Sequence, residues 1–241
     1  MFYFLLAPIL TYNFILMASA VIPAIILMRK AYYSDRLEKE NPGFLWTLVK
    51  AGILSTLIAL VEERVLSLIL NAAVSQQSVW YNIILYFGIV AFAEETSKYI
   101  LLKKNTWKSP EFNCRYDGVV FAVFVSLGFA LWENISYVLS YGFATAIVRA
   151  ITAIPGHACF GVFMGVFYGV AKKSENRGEE SVSKFLRVCS VVVPALLHGA
   201  YDYVASMSHT YGALYFLVFV LILFVVSFKM VGKASDLDEY I

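Results

Sequence analysis

The chain has 241 residues, of which 60% are hydrophobic and only 15% charged, with a mean hydropathy of +0.72. A soluble domain carries about 25% charged residues, so an ordinary soluble fold is excluded and the apolar surplus points to a lipid bilayer. The net charge of +2 gives no footing for nucleic-acid binding, and three scattered cysteines without metal-ligand spacing indicate neither a disulfide framework nor a thiolate zinc site.

A spanning helix needs about 20 mostly apolar residues. Seven such stretches are expected, near 3–28, 44–61, 79–102, 117–141, 147–171, 185–207 and 211–231. The first has no basic residue ahead of it and is longer than the apolar core of a cleaved signal, so it is expected to be a retained span. The segment 62–78, with Arg64-Val-Leu-Ser-Leu-Ile-Leu-Asn, either lies flat at the interface or extends the second helix. The expected architecture is all-α: a polytopic transmembrane bundle forming one integral-membrane domain over 1–241, ending in a short polar tail at 232–241. Most of the 19 Lys and Arg fall in alternate loops, at Arg29 to Lys39, Lys103 to Arg115, Lys172 to Arg187 and Lys229 to Lys233. The positive-inside rule then places the amino terminus outside and the carboxyl terminus in the cytoplasm.

Ionisable residues interrupt four successive spans, the third to the sixth, although a charge at the centre of a membrane helix costs about 2.5–3.5 kcal/mol even on the lenient insertion scale. In the third, Glu94 and Glu95 point about 100° apart, with Lys98 in reach of either. The pair is a structural ion pair, or Lys98 holds one carboxylate while the other acts as a general base. In the fourth, Glu133 has Asn134 beside it and Tyr137 one turn on, spaced for a hydroxyl–carboxylate hydrogen bond. In the fifth, His157 follows Pro155-Gly156, which are expected to loosen or kink the helix. In the sixth, His198 and Asp202 share a face one turn apart, so that Asp202 orients the ring or both reach one ion or one polarised oxygen. Glu62 and Glu63 are expected to face water at a span end. Together these groups suit a reaction site that holds a water between carboxylates and imidazoles, as peptide-bond hydrolysis requires. Buried Glu, His and Asp equally suit a proton- or ion-coupled transporter, and a non-catalytic immunity or scaffold protein is the third class.

The order and spacing of Glu94-Glu95-x-x-Lys98, Gly128-Phe129-Ala130 with Glu133-Asn134-x-x-Tyr137, His157, and Leu197-His198-Gly-x-Tyr-Asp202 resemble the PrsW family of intramembrane proteases. The resemblance covers roughly residues 85–205 and extends distantly to the CAAX-processing type II and bacteriocin-immunity membrane proteases. It implies catalytic core helices within 79–207 of a multi-pass cell-membrane enzyme. The implied activity is cleavage of a membrane-anchored protein, an anti-sigma factor, near the outer face in a regulated proteolytic cascade. By that analogy Glu94 and Glu95 activate water with help from His157, and His198 with Asp202 stabilises the oxyanion. Asp202 stands where the CAAX relatives often carry an amide, and an anionic side chain is a poor oxyanion donor. Two mechanisms stay open: carboxylate catalysis, or zinc held by His157, His198 and a carboxylate, Asp202 or Glu133.

Overall fold

The computed structural model describes residues 2–241, with side chains from residue 11 onward. Its described residues form α1 (Phe2–Ser34), α2 (Pro42–Ala73), α3 (Val79–Ile83), α4 (Ala91–Thr106), α5 (Asp117–Tyr141), α6 (Phe143–Ile151), α7 (Ala153–Asn176), α8 (Glu180–Ala205) and α9 (Gly212–Asp236). A π-helical stretch, Ile84–Val90, joins α3 to α4 without a break. The only β-type pairing among the described residues is a single antiparallel bridge between Cys114 and Tyr240. The chain is thus an all-α, multi-pass bundle. Six stretches are long and apolar enough to cross a bilayer: Thr11–Ser34, Pro42–Ala73, Asp117–Tyr141, Phe143–Asn176, Glu180–Ala205 and Gly212–Asp236. The continuous run 79–106 is a seventh by length, and it carries Glu94, Glu95 and Lys98.

Two expected boundaries change. Asn41 caps α2 by accepting a hydrogen bond from the Gly43 amide at 2.8 Å, and Pro42 occupies the first helical position, where its missing N–H costs nothing. From there α2 runs without interruption to Ala73, so residues 62–73 extend the second helix, carrying Glu63 with them. The fifth span breaks at Thr152 (φ −121°, ψ −68°), between α6 and α7. The break falls three residues ahead of Pro155, which sits in the first turn of α7, where a helix tolerates proline.

The core is organised around α5, which is buried continuously from Asp117 to Ala130 and packs against α7, α2 and α1. Small residues set the spacing. A methyl group added at Gly165 of α7 would lie 2.4 Å from the Val119 Cα and 2.5 Å from the Gly118 carbonyl oxygen, both on α5. Only glycine lets these backbones come so close, the usual device for helix association in membranes. On the outside, α9 leaves Leu214, Leu217, Leu221, Ile222 and Val225 each more than half exposed, an apolar surface suited to lipid.

Candidate active site

The π-helical stretch ahead of α4 sets the position of the paired glutamates. It adds a residue to the helical repeat, and such insertions rotate the helix that follows. Gly199 of α8 lies against it so closely that an added methyl would sit 2.6 Å from the Phe87 ring. This contact brings His198, the neighbour of Gly199, up to α4.

Four helices then converge. Lys98 Nζ lies 2.7 Å from Glu95 Oε1, 3.3 Å from Glu94 Oε2 and 3.2 Å from His157 Nδ1, with the Phe129 ring centroid 4.0 Å away. Glu95 and Lys98 have no exposed surface at all. An ammonium has three donors and no acceptor, so these three contacts use all of its hydrogens. His157 Nδ1 is therefore the acceptor, and its proton sits on Nε2, which donates to Glu133 Oε2 at 2.8 Å. Glu133 is also paired with Arg149 at 2.9 Å. The other imidazole is placed between carboxylates. His198 Nδ1 is 2.9 Å from Glu95 Oε1, and its Nε2 is 3.5 Å from Asp202 Oδ2. The Phe160 ring stacks on His198 at 4.7 Å, and the two imidazoles meet edge to face at 5.3 Å.

Glu94, Glu95, Lys98, Glu133, His157, His198 and Asp202 thus form one connected cluster. Glu94 lies well inside its helix because α4 runs on to Thr106, beyond the span end expected at 102. Tyr137 and Asn134 do something different from the hydrogen bond their spacing suggested. Tyr137 presents its ring to Arg149, 4.0 Å from the guanidinium carbon. Asn134 accepts from Arg149 Nε at 3.0 Å and donates to the Ala20 carbonyl at 3.0 Å, tying α5 to α1. Arg149 was not singled out by sequence, and neither was Glu63 as a site residue. Glu63 does not simply face water: it is half-buried and lines the same cavity as the cluster.

That cavity has a volume of about 590 Å³. Its wall includes Glu63, Glu94, Glu133, Arg149, His157, His198 and Asp202, set among Phe129, Trp132, Phe160 and Tyr201. Glu95 and Lys98 are not on the wall. The two adjacent glutamates therefore differ: Glu94 faces the cavity, and Glu95 lies behind it, bonded to Lys98 and His198.

Comparison with known proteins gives this geometry a family. The model of the PrsW family, described as intramembrane metalloproteases, matches residues 40–228, a range that contains every group above. The chain belongs to the PrsW family. It is 32% identical over 227 residues to Protease PrsW of Halalkalibacterium halodurans, covering 94% of this chain and 100% of that one. Against Protease PrsW of Bacillus subtilis the identity is 31% over 209 residues (86% and 91% of the two chains), and against that of Geobacillus kaustophilus it is 30% over 225 residues (92% and 93%). No solved structure matches. Membership makes the chain a peptidase and a multi-pass membrane protein acting on protein within the membrane.

The PrsW description names a metal, and the donors present fit one. Glu94, Glu95, His157 and His198 are all buried and each offers a ligand atom within 4.8 Å of the others. Glu95 Oε2 is buried without a hydrogen-bond partner, which leaves it free to ligate. Asp202 and Glu133, the carboxylates grouped with the histidines in the sequence-based zinc set, lie outside this group; Glu94 and Glu95 take their place. Lys98 touches three of the four donors, so its ammonium and a metal ion compete for the same ligands.

Proposed function

We propose that the chain is an intramembrane endopeptidase whose catalytic carboxylate is Glu94. The observation that carries this reading is the division between the adjacent glutamates: Glu94 on the cavity wall, Glu95 buried behind it. Glu94 takes a proton from a water in the cavity, and the resulting hydroxide attacks the scissile carbonyl. Glu95 and Lys98 are positioning residues. Glu95 fixes the ring of His198 through Nδ1, which turns Nε2 toward Asp202 and the cavity, where it can meet the oxyanion or protonate the leaving amine. His157 has both ring nitrogens engaged, so it acts as a brace that carries the Lys98 position to Glu133 and Arg149. Asp202 orients His198 and favours its charged form during proton transfer.

If zinc is bound, Glu94, Glu95, His157 and His198 would hold it, and it would supply Lewis-acid activation of water and carbonyl. We take Lys98 as the resident cation of the cluster, because its three contacts already offset both carboxylates.

The substrate we propose is a membrane-anchored anti-sigma factor. The family resemblance supports it, as does the position of the site along the bundle. Glu133 lies 16 residues along α5 from Asp117, about 24 Å from the end that carries the basic loops. With those loops in the cytoplasm, the cavity sits toward the outer face. Its aromatic wall suits an apolar segment that unwinds to present its backbone.

The test is co-expression with a tagged anti-sigma factor. Glu94→Gln and His198→Ala should each lower cleavage about 100- to 10,000-fold while the protein inserts normally. Cleavage at the wild-type rate by either variant would refute the assignment. Failure with this substrate but cleavage of another membrane-anchored protein would refute only the anti-sigma reading.

A further inference from the structure

At the opposite end of α5, on the side of the basic loops, lies a second group of buried acids that plays no part in the reaction. Asp35 follows α1, Glu40 precedes α2, and Asp117 opens α5; they are 2%, 3% and 0% exposed. One carboxylate oxygen from each lies within 4.8 Å of the others. Asp117 Oδ2 is occupied, accepting from the Asn113 amide at 3.0 Å and the Cys114 amide at 2.6 Å. Asp35 Oδ1 and Oδ2, Glu40 Oε1 and Asp117 Oδ1 are buried without a hydrogen-bond partner. Asp238 of the tail lies outside this group: its Oδ1 accepts from the Tyr116 amide at 2.8 Å, and its Oδ2 is buried and unpartnered.

Among the described residues no nearby cation forms an ion pair with these three carboxylates. Lys39 Nζ donates to the carbonyl oxygens of Tyr32 and Asp35, Arg36 pairs with Asp236, and Arg115 pairs with Glu239. Buried charges without partners are too costly to persist in a stable fold. A hydrogen bond between Glu40 and Asp117 needs one proton shared by that pair, and it leaves both oxygens of Asp35 without a partner. A hard divalent cation takes six to eight oxygen ligands and prefers carboxylates, so a single ion answers the whole set.

We propose that Asp35, Glu40 and Asp117 bind one hard divalent cation, Ca²⁺ or Mg²⁺, whose remaining positions are filled by water. The site joins two parts of the chain that are far apart in sequence, the α1–α2 linker and the start of α5. The tail is already laid against that linker and loop. Arg115 N donates to Glu239 O at 3.0 Å, Ile241 N to Asn113 O at 2.7 Å, and Ser235 Oγ to Ser34 O at 2.6 Å. The ion therefore locks this end of the bundle closed, about 24 Å along α5 from the catalytic cluster.

The experiment uses the full-length protein in detergent micelles, stripped with a chelator and then titrated with MgCl₂ or CaCl₂ while thermal unfolding is followed by tryptophan fluorescence. The melting temperature should rise saturably, by about 5–10 °C at a hundredfold excess over the dissociation constant. Asp35→Asn and Glu40→Gln each remove a repelling charge, so both should fold without the ion and lose at least about tenfold in apparent affinity. Glu94→Gln should keep the full response, which separates this site from the catalytic donors. The proposal is overturned by no response to either ion, or by a response unchanged in Asp35→Asn and Glu40→Gln. It is also overturned if mild acid alone produces the whole gain, which assigns the cluster to shared protons. A response to Zn²⁺ alone that is lost in Cys114→Ser likewise overturns it in favour of a soft site at Glu38, Cys114 and Asp117.

Discussion

Lys98 is an ammonium with no exposed surface, and each of its hydrogens has an acceptor on another functional side chain. Removing it leaves two buried carboxylates without their cation. Breaking a buried pair from one side costs about 3–5 kcal/mol, whereas removing both partners costs far less. Lys98→Met should therefore unfold at markedly lower temperature, and adding Glu95→Gln should restore most of the loss; equal stability of wild type and Lys98→Met would show that the ammonium is not buried against these acids. At this scale the sequence was informative where charge was out of place. Glu94, Lys98, Glu133 and His198 announced themselves because bilayer energetics make such residues expensive. Arg149 and Glu63 did not, because a charge near a span end needs no explanation. Arg149 reaches Glu133 only through the turn at Gly142 and the short helix α6. Tyr137 shows the limit of spacing arguments: one helical turn placed it near Glu133, but its ring went to the guanidinium instead.

Helix contacts turn these residues into a site. Residues 94, 133, 157 and 198 meet because α5 and α7 approach closely at glycines and Gly199 of α8 seats against the π-helical stretch ahead of α4. A side chain at Gly165 would strike the backbone of α5, which cannot move aside by a rotamer change. Gly165→Ala should thus cost about 1–3 kcal/mol or more and reduce cleavage through the displaced His157, as measured by thermal unfolding and substrate processing. Unchanged stability would mean that α5 and α7 are not packed this closely. Span existence was legible from apolar runs, since length and composition alone decide it. Span ends were less so. The continuation of α4 to Thr106 depends on packing, with the Thr106 hydroxyl 2.8 Å from that of Tyr168; α2 continues through Glu62, Glu63 and Arg64 with most of its extension exposed, and the break at Thr152 precedes the proline that signalled it.

The whole molecule is a bundle with two polar centres at different depths and an apolar exterior. One centre lines a cavity of about 590 Å³; the other closes the end where the tail docks. The second was invisible from sequence because Asp35, Glu40 and Asp117 sit at helix ends, where acids are ordinary. The expected orientation has a direct check. On a cysteine-free background, Ser208→Cys should react with an impermeant thiol reagent in intact cells, and Asn176→Cys only after permeabilisation; the reverse pattern would invert the topology. The central claim, that Glu94 hydrolyses a peptide bond in a cluster whose cation is Lys98, is tested most directly by cleavage in proteoliposomes. Chelator-stripped protein, verified metal-free by elemental analysis, should cleave the co-reconstituted substrate at the untreated rate, and Glu94→Gln should not. Loss of cleavage on stripping, restored by Zn²⁺ and not by Mg²⁺, would contradict it and give the cation's role to a metal held by Glu94, Glu95, His157 and His198.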